Sequence, residues 1–394
     1  MKRTVRILLY SLFLLGIVFL VGEIDICLGQ PAPDATSAPG ISEGGGLRHD
    51  LAEHGITPSL LYRTEIVGAL THRDQAQHDV TALTSGFASI GVDAAKLAGL
   101  RGNALFSMQT VHGTGLNEDA LGGYQLASNL DSGSYVKLIE AWYADNFWGQ
   151  RLGFKVGRQY ADTDFGVNEN AGDFLNAGYG VLPTAPMPTY PNPQFGVMGF
   201  YAPTSWASFG AGAYRGDMLE DDAGLEDPRR KGLFTITELK LRPAALKSAF
   251  RFGGWRQGDG AYRTNLFGES MLAANYGAYA AVDYWPLHKS NEEQSPALFA
   301  RWGWAPTDRN SVHGHLEGGF TYPALFPGRK QDAVGLGFTQ VSMTGAGRET
   351  VLESYYKLQI NRSIALQPDM QWAIHPMGVD GCRAVAGLRF TMLF

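Results

Sequence analysis

The sequence predicts an all-β fold, a sixteen-stranded antiparallel transmembrane β-barrel, and three observations carry that reading. From Glu349 to Phe394 the chain makes three consecutive passes in which apolar and polar residues alternate, and a period of two places the two sets on opposite faces of a strand. An export-type amino terminus precedes a body with no further apolar run of the roughly 18 residues that a spanning helix needs. Composition agrees: charged residues are 18% of the chain, against about 25% in a soluble domain, while Gly supplies 50 of 394 residues and aromatics 12%.

At the amino terminus Lys2, Arg3 and Arg6 precede the apolar run Ile7 to Val21, and Cys27-Leu28-Gly29 places small residues where a signal peptidase reads. Residues 1–29 are therefore expected to be a signal peptide cleaved after Gly29. A lipoprotein signal does not fit, because Asp25-Ile26 precedes Cys27. Residues 30–54 are read as a flexible leader or periplasmic segment, since Gln30 to Gly46 is rich in Pro, Ser and Gly and lacks periodicity. The barrel is expected over 55–394. Removal of Cys27 leaves Cys382 without an intramolecular partner, which excludes the small disulfide-stapled folds.

Strand character centres near Leu61, Phe87, Ser107, Ile139, Phe154, Val197, Gly210, Ile236, Phe252, Ala280, Ala300, Leu316, Leu336, Tyr356, Met370 and Leu388, an even tally in the bacterial range. In the closing strand Ala384, Ala386, Leu388, Phe390, Met392 and Phe394 share one face, and Arg383, Val385, Arg389 and Thr391 the other. The strand before it sets Leu366, Met370 and Trp372 against Gln367, Asp369 and Gln371. Short turns such as Trp148-Gly149-Gln150 and Pro306-Thr307-Asp308 are expected on the periplasmic rim. Gly113 to Gly133, Tyr160 to Gln194, Arg215 to Lys231, Gln257 to Leu272 and His288 to Ser295 are expected as extracellular loops. The second of these exceeds an ordinary connection and ends in five prolines between Pro183 and Pro193, so it is expected to fold inward. Aromatic clusters at Trp142, Tyr143, Phe147 and Trp148, at Tyr284 and Trp285, at Trp302 and Trp304, and at Tyr355 and Tyr356 fit interfacial girdles.

A barrel this wide encloses water, so function lies in the inward side chains. Alternation places Glu140 with Trp142, Arg251 with Trp255, Ser107 with Gln109 and Glu353 with Lys357 on common faces, and Arg301 opposite Trp302. Inward charge of both signs suits a neutral polyhydroxylated solute: arginine offers donors only, carboxylates acceptors only, and sugar hydroxyls do both. The small or polar inward positions Gly277, Asp283, Gly335, Gly337 and Thr339 favour a channel over a packed barrel. The net charge of −6, with scattered basic residues, does not point to nucleic acid.

Other chemistries find little support. No carboxylate pair has a context that marks acid and base, so no catalytic residue is assigned. His313 and His315 share a face with Glu317 beyond, which makes a metal site conceivable, but they are expected as lumen or loop residues. Asp162-x-Asp164 with Asn168, Glu169 and Asn170 is oxygen-rich enough for calcium but lacks the EF-hand spacing. No metal or cofactor is expected. Gln30 to Gly46 is far too short for the amino-terminal plug domain of an energised receptor, so none is expected.

The stretch Glu349-Thr-Val-Leu-Glu-Ser-Tyr-Tyr-Lys-Leu-Gln-Ile, followed by Ser363-Ile-Ala-Leu-Gln-Pro-Asp-Met-Gln-Trp, closely resembles the penultimate strands of the carbohydrate-selective porins of Gram-negative outer membranes. Lys96-Leu-Ala-Gly-Leu, Val156-Gly-Arg, Phe174-Leu-Asn-Ala-Gly-Tyr-Gly, Phe299 to Asn310 and Gln331 to Phe338 are similar to the same family in the same order. The resemblance implies a sixteen-stranded outer-membrane barrel that admits monosaccharides such as glucose, or polyols, by passive diffusion through a constriction of arginines, acidic residues and aromatics. The constriction is expected at Glu140, Trp142, Arg158, Arg251, Arg301, Glu353, Lys357 and Asp369. Expected partners are a small carbohydrate, outer-membrane lipid, and the barrel-assembly machinery through the final strand ending in Phe394. One departure bears on substrate preference: the strand after the Pro-rich loop reads Gly196-Val-Met-Gly-Phe, without the basic residue that the family leads one to expect. The alternatives are a barrel with hydrolytic groups and a general, non-selective porin.

Overall fold

The computed structural model describes residues 46–71, 79–216, 232–258, 262–264, 270–272, 274–286 and 295–394. The expected signal peptide and most of the leader lie outside the described residues. The end of the leader, Leu47–Glu53, forms a short helix against the first strand.

Sixteen strands follow in chain order: β1 Ile56–Ala69, β2 Val80–Asp93, β3 Asn103–His112, β4 Tyr135–Phe147, β5 Leu152–Gln159, β6 Gln194–Thr204, β7 Ala207–Arg215, β8 Leu233–Leu241, β9 Ser248–Gln257, β10 Asn275–Tyr284, β11 Ala297–Trp304, β12 Val312–Pro323, β13 Ala333–Met343, β14 Gly347–Gln359, β15 Ile364–Ile374 and β16 Cys382–Leu393. A small hairpin, Tyr262–Thr264 with Ser270–Leu272, stands outside the barrel sheet. Each barrel strand pairs antiparallel with its sequence neighbours, and β16 returns to β1, from Leu61 opposite Leu393 to Ala69 opposite Val385. Closure removes the sheet edge and pairs the backbone throughout, which a hydrocarbon environment demands. All sixteen strand centres read from the sequence fall inside these strands.

Alternation fixes the faces. In β16 Leu388 is 44% exposed on the outer wall and Arg389 only 5% exposed on the inner one. In β15 Gln367, Asp369 and Gln371 are buried toward the axis, while Leu366, Met370 and Trp372 face out. One strand breaks the period: Glu140 pairs with Ser107 and Leu138 with Met108, so Ile139 is an extra residue, and both Ile139 and Glu140 are buried. Tyr143, Trp148 and Tyr284 near one rim, and Tyr276 and Trp304 near the other, are exposed on the outer wall; Trp142 and Tyr355 instead turn into the lumen.

Phe394 exchanges backbone hydrogen bonds with Leu60, so the chain enters and leaves the barrel on one rim, here the terminal rim. In an antiparallel barrel every odd-numbered strand then ends on the opposite, loop rim. The four connections after β3, β5, β7 and β9 share that rim, as expected. Two assignments are exchanged: the Tyr284-to-Ala297 link follows β10 and belongs to the terminal rim, whereas the short Pro306-Thr307-Asp308 turn follows β11 and belongs to the loop rim. Connection length was the signal read from the sequence, and length does not count strands.

The lumen wall contains a repeated device in which an inward aromatic lies directly across from glycine. Tyr214 pairs with Gly196, Trp255 with Gly277, Tyr279 with Gly253 and Tyr355 with Gly335. A Cβ on Gly335 would stand 2.1 Å from the Tyr355 ring, and one on Gly253 equally close to Tyr279. These glycines are seats for rings rather than open lumen, which corrects the reading of Gly277 and Gly335 as channel space.

Candidate functional site

Two connections on the loop rim, 113–134 and 160–193, fold back into the barrel. Phe165, Leu182 and Met187 of the longer loop pack on Met198, Phe234 and Ile236 of the wall and on Tyr214, Trp255 and Tyr279, the rings that the glycine seats position. Farther along, Phe174 stacks on Tyr179 at 4.3 Å and meets Tyr355 edge-on at 5.0 Å. The Gly196-to-Phe200 stretch, where a basic residue was expected, thus belongs to an apolar floor through Met198.

An irregular loop inside a barrel brings peptide groups that must find partners. The wall supplies them by charge. Glu238 accepts from the Gly166 N–H at 2.7 Å, Asp283 from the N–H groups of Glu169 and Asn170 at 3.2 and 3.1 Å, and Glu353 from those of Leu175 and Asn176. Glu349 does the same for Tyr124 and Gln125 of the shorter loop, at 2.6 and 2.7 Å. Arg301 serves the carbonyls, donating to Gly166 at 2.8 Å and Tyr179 at 3.1 Å while it pairs with Glu317 at 2.9 Å. Carboxylates accept and guanidinium donates, so each takes the half of the peptide group it can satisfy. Glu169 reverses the pattern. It is a loop carboxylate, and although burial opposes its charge, Lys240 at 3.2 Å with Arg251 and Arg242 holds its pKa down to about 2.

The residues expected at the constriction can now be placed. Arg251, Arg301 and Glu353 hold the loop as described, and Lys357 pairs with Asp173 of the same loop at 2.7 Å. Asp369 accepts from Gln371 at 2.9 Å, close to Glu353. Glu140 accepts from the Trp142 indole at 3.0 Å, beside the Lys155–Asp164 pair. Arg158 lies on the other side of the wall: it continues the outward register of Val156, opposite exposed Phe195, and its Nε donates to the Leu138 carbonyl at 3.1 Å. The oxygen-rich run after Tyr160 is spread over separate partners, Asp164 on Lys155 and Asn168 on Glu317 at 2.6 Å. No group of three or more potential metal ligands gathers among the described residues. His315 is buried, 3.2 Å from the Thr339 hydroxyl.

A cavity of about 800 Å³ lies off-centre, between β1–β3 and the two loops. Leu61, Arg63, Ser85, Phe87 and Gln109 line it from the wall, Tyr124 to Ser132 from the shorter loop, and Tyr160, Asp162, Pro183 and Thr189 to Asn192 from the longer. None of the eight residues expected at the constriction is on its lining. Arg63 was missed, although Leu61, Arg63, Glu65 and Val67 alternate as plainly as the closing strands do. Asp162 is half-buried; desolvation raises its carboxyl to a pKa of about 7, opposed by a hydrogen bond from the Thr189 hydroxyl.

Comparison with known proteins decides the family. Residues 77–394 match the carbohydrate-selective porin, OprB family. The chain belongs to the carbohydrate-selective porins. It is accordingly a carbohydrate channel of the outer membrane. Among solved structures, the high-pH form of Pseudomonas putida OprB is 18% identical, with 89% of this chain and 96% of that one aligned at a TM-score of 0.79. Its low-pH form is 17% identical, with 88% and 95% aligned at a TM-score of 0.58. A mutant of the Rh. blastica porin is 10% identical, with 86% and 100% aligned at 0.52. At these identities the likeness carries the fold. No curated protein matches. The folded-in loops of this chain, together with β1–β3, bound the cavity.

Proposed function

We propose that neutral monosaccharides and polyols diffuse passively through the cavity between β1–β3 and the folded-in loops. The observation that carries this reading is Arg63, which lines the cavity and makes no hydrogen bond or ion pair among the described residues. A guanidinium kept available in a water-filled passage offers donors to successive hydroxyl groups. Asp131 and Asp162 add acceptors, and Phe87, Tyr124 and Tyr190 add apolar faces for a sugar ring. Transport also needs weakness: millimolar affinity corresponds to about −4 kcal/mol, and a much tighter site would retain its cargo.

The same reading has residues 1–29 direct export and be removed, the outer apolar faces meet lipid, and the final strand ending in Phe394 engage the assembly machinery. Of the expected constriction residues, Arg251, Arg301, Glu353 and Lys357 then act on transport mainly by holding the loop. No cofactor or catalytic step enters. Planar-bilayer recording with glucose and polyol titration tests the proposal. Current should fall with sugar concentration, half-blocked in the millimolar range, and Arg63→Gln should weaken the block about tenfold, a loss of roughly 1.4 kcal/mol. Wild-type current indifferent to sugar would mark a non-selective porin instead.

A further inference from the structure

Charge on the outer wall is distributed differently from charge in the lumen. In the half of the barrel nearest the loop rim, the outward positions of the described strands carry four arginines, Arg158, Arg215, Arg256 and Arg348, and no carboxylate. Three of them stand together on alternate strands. Arg158 of β5 is opposite Phe195 of β6, and one step beyond the Gly196–Tyr214 pair that same Phe195 faces Arg215 of β7. Arg158 and Arg215 therefore share one hydrogen-bonded row, about 10 Å apart across two strand spacings. Arg256 of β9 follows two strands on, level with Thr235. Between them Phe195 and Leu233 are 46% and 52% exposed.

A charge on the lipid face of a barrel costs about 2–4 kcal/mol at the bilayer midplane and about 0–1 near the interface. Position near the rim makes these arginines tolerable, but it does not explain a single sign. Nor does pore function, because they stand outside the lumen. Arginine forks match phosphate oxygens bidentately. Arg158 is fixed to the wall through its Nε, and its two Nη groups make no hydrogen bond among the described residues. The loop rim of an outer-membrane barrel faces outward, since the long loops are extracellular and the short turns periplasmic.

We infer that Arg158, Arg215 and Arg256 form a headgroup site for a phosphorylated lipid of the outer leaflet, its phosphates on the arginines and its acyl chains along Phe195, Val197 and Leu233. The inference rests on outer-membrane placement and is independent of sugar selectivity. The test is native mass spectrometry of the full chain in neutral detergent, titrated with bis-phosphorylated lipid A and with the same lipid stripped of phosphate. The phosphorylated lipid should form a stoichiometric adduct that the stripped lipid does not. Combined Arg158→Gln, Arg215→Gln and Arg256→Gln should weaken the adduct about tenfold or more, while Arg348→Gln, on the far side of the barrel, should not. Heat-modifiable migration and sugar-dependent current report folding. If the triple variant does not fold, Arg158→Gln alone should still shift half-saturation in the same direction. Equal retention of both lipids, or by wild type and variants, would overturn the inference. So would complete displacement by equimolar inorganic phosphate, which would mark a site for free anions.

Discussion

Asp162 shows how a place in the lumen sets the behaviour of one carboxyl. Burial lifts its pKa to about 7, so it is neutral below that value and charged above it. Because the folded value exceeds the unfolded one, the folded state holds the extra proton between about pH 4 and pH 7, and the loop's seating weakens as pH rises through that window. Glu169 acts oppositely: with a folded pKa near 2 its latch to Lys240, Arg242 and Arg251 is present above the ordinary glutamate value and is lost as pH falls toward 2. Asp162 also lines the cavity that Arg63 lines, so its ionisation adds a negative charge to that lining. The ratio of potassium to chloride permeability should rise between pH 6 and pH 8 in the wild type and stay flat in Asp162→Asn. A wild-type ratio that ignores pH in this range would remove Asp162 from the conduction path.

At the scale of the element, the strands and the inward fold of the long loop were legible, whereas the seat of that loop on the wall was not. Alternation from Leu352 to Phe394 put each inward and outward side chain where the structure has it, because a period of two is a property of the strand itself. The fate of 160–193 depends on contacts far along the chain, from Glu238 to Glu353, and has no period. That is why Arg251, Arg301 and Glu353 were read as pore lining: their inward direction and the loop's inward fold were visible, but not that the loop would bond to these three residues. The glycine seats were hidden for a related reason, since Gly335 acquires meaning only once Tyr355 is known to be its cross-strand neighbour. Gly335→Val should push the Tyr355 ring off its seat and away from Phe174, destabilising the barrel by about 1–3 kcal/mol through overpacking. Thermal unfolding in detergent measures the loss, and adding Tyr355→Leu should recover part of it. A valine variant as stable as the wild type would show that the ring does not depend on its seat.

At the scale of the whole molecule, the barrel is a frame wider than its passage. The wall from β6 to β10 is furnished with rings that receive the loop, whereas β1–β3 present Ser85, Gln109 and Arg63 to the space left open. Selectivity on this arrangement belongs to the gap between the inserted loops and three of the sixteen strands. Replacing residues 163–188 by a short Gly-Ser linker tests that division of labour. Closure of β1 on β16 and the pairing of β5 with β6 do not involve those residues, so the variant should still assemble. Its wall carboxylates, Glu238, Asp283, Glu317 and Glu353, would lose loop donors but regain water, which limits the cost of removing their partners. Single-channel conductance should rise several-fold, monosaccharide block should vanish, and disaccharides should enter proteoliposomes that the wild type closes to them. Sugar block persisting at the wild-type concentration would place the selective contacts on the barrel wall instead, and the loop would then be a filler of the lumen rather than a wall of the passage.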